Sequence, residues 1–103
     1  MNNIPISFQL GGITYSVELT DKRNVGDKNS LTGNIIYPLN KVNIYTDHVG
    51  YVSTDDYREL SFYHELVHGI LTAMGKNDMN NDEKFVDGFA SYLHQFIKTV
   101  KYE

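Results

Sequence analysis

The chain has 103 residues, 41% of them apolar and 21% charged, proportions that bound it to one globular domain over 1–103 with a single modest core. A net charge of −4, with no run of Lys or Arg, argues against nucleic acid and anionic membrane as partners. There is no cysteine, which excludes disulfides and thiolate metal sites and leaves only nitrogen and oxygen ligands for any metal. No basic-then-apolar leader opens the sequence and no apolar run is long enough to span a bilayer, so the expectation is a cytoplasmic monomer.

Residues 4–19 read as a β-hairpin. Ile4, Ile6, Phe8 and Leu10 alternate with polar positions, as do Ile13, Tyr15, Val17 and Leu19, and Gly11-Gly12 supplies a two-residue turn. Residues 20–32 are polar and rich in turn formers, and predict an exposed, mobile loop. Residues 34–37 are rich in β-formers, 38–41 make a turn, and Val42, Ile44 and Thr46 alternate again. Asp47, Gly50 and Ser53 then end the strand.

A first helix is predicted over about 54–74. Thr54 is a plausible N-cap, Asp55 and Asp56 suit the helix dipole, and Gly75 ends the helix. Leu60, Tyr63, Val67, Ile70, Leu71 and Met74 recur at three- and four-residue spacing. After a short polar connection over 76–81, where Asn80 or Asn81 can cap, a second helix follows over about 82–100. Its apolar positions Phe85, Val86, Phe89, Ala90, Leu93, Phe96, Ile97 and Val100 read as core. The order β-β-β-β-α-α gives an α+β domain: a small antiparallel-rich sheet of about four strands, followed by two packed helices.

His64-Glu65-Leu66-Val67-His68 falls inside the first helix and matches H-E-x-x-H. Side chains at i and i+4 share a helical face, so His64 and His68 can reach one ion. Glu65 lies about a hundred degrees further round, beside the metal rather than on it, where a general base for a metal-activated water belongs. With four His in the chain, chance supplies only roughly 0.007 such matches, which outweighs the bland reading of two histidines in a helix–helix contact.

A catalytic zinc usually has three protein ligands and a water. Glu83, Asp87 and His94 are the downstream candidates for the third. Antiparallel packing across a short connection brings the start of the second helix near His68, which favours Glu83 over a capping-box role with Asn80. Asp87 lies one turn deeper, placed either to accept the ring N–H of a ligating histidine or to face solvent. His94 should lie near the start of the first helix as an ordinary helix histidine. Tyr63, Tyr37, Tyr45 and His48 are all possible donors to a substrate oxyanion. The strand over 42–46 is a possible edge for an extended peptide.

H-E-x-x-H followed by Glu83-x-x-x-Asp87 resembles the gluzincin arrangement. Gly88-Phe89-Ala90, the G-x-I-x-Y-like stretch at 33–37 and the 62–71 helix segment (Phe-Tyr-His-Glu-Leu-Val-His-Gly-Ile-Leu) are similar to the small phage-encoded members of the ImmA/IrrE-like metallopeptidases. The likeness covers most of the chain but is specific only at 62–71 and 83–93. It departs in having no helix-turn-helix segment and no second half to wall the cleft. The resemblance implies a zincin-like fold, zinc (Zn2+) held by His64, His68 and Glu83, and Glu65 as catalytic acid/base. It implies hydrolysis of a protein or peptide substrate in a bacterial host cytosol. A non-catalytic, zinc-stabilised protein-interaction module is the alternative.

Overall fold

The computed structural model describes residues 3–21 and 32–103. The loop predicted over 20–32 falls mostly outside the described residues. Among those residues the main sheet comprises β1 (Ser7–Leu10), β2 (Ile13–Thr20), β3 (Gly33–Ile36) and β4 (Lys41–Tyr45), in the order β1-β2-β4-β3. The helices are α1 (Asp55–Met74), the single turn α2 (Asn77–Asn80) and α3 (Glu83–Thr99). The fold class is therefore α+β. No helix among the described residues is long and apolar enough to cross a membrane.

The first hairpin forms where the alternation predicts it. Leu10 pairs with Ile13 across Gly11-Gly12, and Phe8 stacks on Tyr15 with ring centroids 5.3 Å apart. Beyond the hairpin the topology departs from simple antiparallel order. β4 lies between β2 and β3, parallel to the first and antiparallel to the second. The strand over 42–46 is therefore interior, and β3, like β1, is an edge with one strand neighbour among the described residues. Residues 37–39 tighten into a 3-10 turn with Pro at its start, which turns β3 back into β4.

Gly33 is required by close approach: a Cβ there would sit 2.6 Å from the Asn43 carbonyl oxygen, which belongs to the backbone and cannot yield cheaply. That contact lets β3 lie tight on β4 and brings it beside α1. Residues 47–53 do not simply end the strand. Asp47–His48 (β5) and Tyr51–Val52 (β6) pair as a second hairpin, and Arg58 clamps it to α1 by donating to Ser53 Oγ and the Thr46 carbonyl, both at 2.9 Å.

The boundaries of α1 follow its caps. Thr54 Oγ1 accepts from the Tyr57 N–H at 3.2 Å, a cap worth about 1 kcal/mol. At the other end Gly75 adopts φ 71°, and the N–H groups of Gly75 and Lys76 return to the Thr72 and Leu71 carbonyls, the paired closure of a Schellman motif. The core lies where α1 covers the sheet: Tyr15, Val42 and Ile44 meet Phe62, Tyr63, Val67 and Leu71, and Val86 and Ala90 of α3 close its side. Fully burying a side chain such as Val42, Ile44 or Val86 contributes roughly 1.5–3 kcal/mol each.

The apolar side of α3 is only partly core. Val86 and Ala90 are buried, whereas Phe89, Phe96 and Ile97 are 52%, 57% and 41% exposed. The apolar positions of α3 spread over too wide an arc for α1 alone to cover. Met74, expected in the apolar stripe of α1, is likewise exposed.

Candidate metal centre

α1 and α3 run antiparallel, as two pairs of contacts show. The start of α3 meets the middle of α1 through Glu83 with His64 and His68, and its far end meets the start of α1 through His94 and Glu59. The i, i+4 spacing of the histidines puts their rings on one face, with centroids 4.8 Å apart. They face the groove between α1, β3 and the α2–α3 corner rather than the core, with side chains 22% and 20% exposed.

Both histidines aim the same nitrogen at one carboxylate. His64 Nε2 lies 3.5 Å from Glu83 Oε2, and His68 Nε2 lies 3.2 Å from Glu83 Oε1. A tetrahedral site with bonds of about 2.0–2.1 Å has ligand–ligand edges of about 3.3 Å, which these two edges match, and the three residues offer ligand atoms all within 4.8 Å of one another. The other ring nitrogens are also held. His64 Nδ1 lies 2.8 Å from Asp87 Oδ1, and His68 Nδ1 lies 2.5 Å from Asn80 Oδ1. Each Nδ1 thus faces an acceptor, so a ring proton held there would leave the Nε2 lone pair free for a metal.

Asn80 is the member that sequence reasoning missed. It reads as a helix cap, but Asp82 caps α3 instead, accepting from the Phe85 N–H at 3.1 Å. The capping box between Asn80 and Glu83 does not form, which leaves the Glu83 carboxylate at the histidines. The signal available was arithmetic: two ligating histidines need two acceptors behind them, and Asp87 can serve only one.

Glu65 is buried, at 8% exposure, and lines the groove beside His64, His68 and Glu83. Burial pushes its carboxyl up to about 7, with His68 pulling it down and Glu83 adding to the rise. A carboxylate poised near neutrality can both take and return a proton. The groove consists of two adjoining pockets of about 340 and 550 Å3 that share Gly33, His64, Glu65 and Glu83. One extends towards Tyr57 and Leu60, the other towards Tyr37, Thr72 and Asn80.

Of the four candidate oxyanion donors, Tyr45 and Tyr63 are buried in the fold and His48 belongs to the second hairpin. Tyr37 lines the groove, and burial raises its phenol above the ordinary value, so it stays protonated at neutral pH.

His94 stands apart from this centre, as its position in the helix predicts. Its Nε2 lies 3.0 Å from Oε1 of Glu59, whose side chain is 1% exposed. Asp56, Glu59 and His94 form a second cluster with the spacing of a metal site, but the Lys98 ammonium already lies 2.8 Å from Asp56 and 3.4 Å from Glu59. The charge balance there is met by a side chain. Burial pushes the Glu59 carboxyl up, but hydrogen bonds from His94 and the Asn3 N–H, together with Lys98, outweigh it and hold the group below its ordinary range.

No protein-family model matches the chain, and no curated protein or solved structure matches it either.

Proposed function

We propose that this chain is a zinc-dependent metallopeptidase that hydrolyses a peptide bond in a protein or peptide substrate. The observation carrying this reading is the convergence of His64 Nε2 and His68 Nε2 on the Glu83 carboxylate, with each Nδ1 held from behind and Glu65 alongside. A purely structural zinc does not need a buried carboxyl poised near neutrality beside it. The likeness of His64-Glu65-x-x-His68 and Glu83-x-x-x-Asp87 to the gluzincin pattern, and to the phage-encoded ImmA/IrrE-like enzymes in particular, supports the same reading.

Bound to His64, His68 and Glu83, zinc supplies a Lewis acid and lowers the pKa of a water towards 7. The residues of the chain do the rest. Asp87 and Asn80 fix both imidazole rings in the tautomer that presents Nε2. Glu65 takes the proton of the attacking water and returns it to the leaving amine. Among the described residues β3 is an edge strand, and it borders the groove through Gly33, Asn34 and Ile35, so an extended substrate can add to it as a further strand.

The alternative, a zinc-stabilised module that binds a partner without cleaving it, draws support from the exposed Phe89 and Phe96 on α3. Two measurements separate the readings. Zinc-reconstituted protein is analysed for metal and incubated with a broad peptide library, with Glu65→Gln in parallel. The peptidase reading expects stoichiometric zinc in both proteins and cleavage only by the wild type. Metal without cleavage favours the module, and metal below about a tenth of stoichiometric removes both.

A further inference from the structure

The second hairpin stands at one end of the groove. The Thr32 carbonyl, just before β3, accepts from the Tyr45 N–H at the end of β4, and β5 begins two residues later at Asp47. The hairpin therefore rises beside the start of β3, where the pocket that reaches Tyr57 opens. Tyr57 also lines a further pocket of about 330 Å3, walled otherwise by His48, Val49, Tyr51 and Val52 of the hairpin and by the two residues that lead into α1. The groove and this pocket meet at Tyr57.

Several features set the hairpin pocket apart from ordinary surface. No Lys, Arg, Asp or Glu lines it, and Val49, Tyr51 and Val52 are all exposed. Val49 sits at φ 43°, the left-handed region that Asn or Gly takes readily in a two-residue hairpin turn and that a β-branched residue rarely adopts. Strain of this kind persists where the surroundings hold it, and it gathers at ligand clamps. Here the stem is held. Arg58 ties Thr46 and Ser53 to α1, and the Ser53 N–H donates to the Thr46 carbonyl at 3.0 Å. His48 and Tyr51 pair across the strands and so share a face, and the His48 ring centroid lies 5.8 Å from that of Tyr57. A row of three rings thus leads from the hairpin to the groove.

We propose that Val49, Tyr51 and Tyr57 form a binding site for an apolar, above all aromatic, side chain of the substrate, carried by the third residue after the scissile bond. The inference rests on the zinc-peptidase reading and names the substrate class for it. The position follows from two lengths. Tyr57 precedes His64 by seven residues, about 10 Å along α1, and an extended chain covers that distance in about three residues at roughly 3.3 Å each. The direction follows from strand pairing. A strand added to β3 is more stable when antiparallel, and it then runs from the Ile36 end towards the Gly33 end, so its later residues reach the hairpin. The chemistry follows from the lining. A charged side chain would lose water there without finding a partner of opposite charge, whereas an aromatic ring would stack on Tyr51 and Tyr57.

The test reads binding to zinc-loaded protein of hydroxamate-capped succinyl-Gly-Xaa amides. The hydroxamate binds the metal, and Xaa lies third after the position of the scissile bond. Affinities are compared for Xaa as Phe, Gly or Glu, with the wild type, Tyr51→Ser and Val49→Asn. The Phe probe should bind the wild type about tenfold more tightly than the Gly probe, the worth of a partly buried aromatic side chain, and the Glu probe no better than Gly. Tyr51 is 76% exposed, so Tyr51→Ser should keep the fold and the zinc while bringing the Phe probe to within about twofold of Gly. Val49→Asn separates binding from structure. Asn suits the turn, so the melting temperature should hold or rise while the preference for Phe falls about threefold.

Equal binding of the Phe and Gly probes by the wild type, binding of neither at millimolar concentration, or a Phe preference that survives either substitution would overturn the inference and leave the metal centre standing. Hydrolysis plays no part in the readout, so a zinc protein that shows the preference yet cleaves no peptide would keep this site and lose the peptidase reading. A protein that binds no zinc loses both.

Discussion

His64 Nδ1 and Asp87 Oδ1 lie 2.8 Å apart, and that single contact decides which edge of the imidazole faces the groove. A proton on Nδ1 satisfies the Asp87 carboxylate and leaves the Nε2 lone pair towards Glu83, the arrangement a metal ligand needs. Asp87 thus acts behind the proposed metal site, and Glu83 acts in it. Glu83→Ala should therefore cost far more zinc affinity than Asp87→Ala, which should fall within about 10- to 100-fold. His94→Ala should leave affinity unchanged, because His94 is committed to Glu59. Chelator competition on the three variants measures all of this, and a dominant effect at His94 would refute the ligand set.

Zinc should also hold the fold together at the α1–α3 contact. Without a cation, both Nε2 atoms crowd the Glu83 carboxylate with nothing between them, on a helix pair closed largely by Val86 and Ala90. We expect about one zinc per chain, lost in His64→Ala or His68→Ala, and a lower melting temperature after chelation, because ligand bound only to the folded state stabilises it. Melting curves of verified metal-free and reconstituted protein make the comparison. Coincident curves would show that folding is independent of the metal.

How much of this was legible in the sequence depends on which physical rule each residue obeys. His64, His68, Glu83 and Asp87 were legible because the 3.6-residue period and a short connection between helices fix their mutual placement almost by themselves. Asn80 was not, since its role depends on α2 folding back under His68, which no period encodes. Glu59 falls four residues before Tyr63, in the core-facing register of α1, yet a carboxylate at that position reads as a surface residue. The outer face of α3 misled for the opposite reason: Phe89 and Phe96 have the periodicity of core, but periodicity says nothing about whether a neighbour exists to cover them. The insertion of β4 between β2 and β3 escaped because local alternation gives strands without giving their order.

Glu65→Gln should keep zinc and abolish hydrolysis, since the amide retains shape and a hydrogen bond but cannot accept the water's proton. It should also change the pH profile of the metal-free protein. The Glu65 carboxyl is raised to about 7, so the folded state favours its protonated form. Stability from this group is fully present below the ordinary carboxyl range and is lost as pH rises towards 7, by about 3 kcal/mol in total. Urea titrations of the metal-free protein between pH 4.5 and 7.5 should show this decline in the wild type and a flatter profile in Glu65→Gln. Parallel profiles would mean that the carboxyl titrates normally.

Glu59 should show the reverse dependence. Its carboxyl is buried, and burial alone would raise it, but the bonds from His94 and the Asn3 N–H with the nearby Lys98 ammonium hold it below the ordinary range. A depressed carboxyl contributes stability above its unfolded pKa that is lost as pH falls through the folded one, so this contribution disappears only in acid. The pair also cannot be broken cheaply. Removing one partner leaves a buried charge uncompensated, and breaking a buried pair typically costs about 3–5 kcal/mol. His94→Ala is therefore expected to destabilise the protein by up to that amount, eased by the remaining Asn3 and Lys98 contacts, while zinc affinity stays unchanged. Glu59→Leu removes the charge instead of stranding it and should cost less than His94→Ala. Urea denaturation of the two variants with zinc bound orders them, and a Glu59→Leu protein less stable than His94→Ala would show that the carboxylate's bonds, rather than its unbalanced charge, dominate at this end of the helix pair.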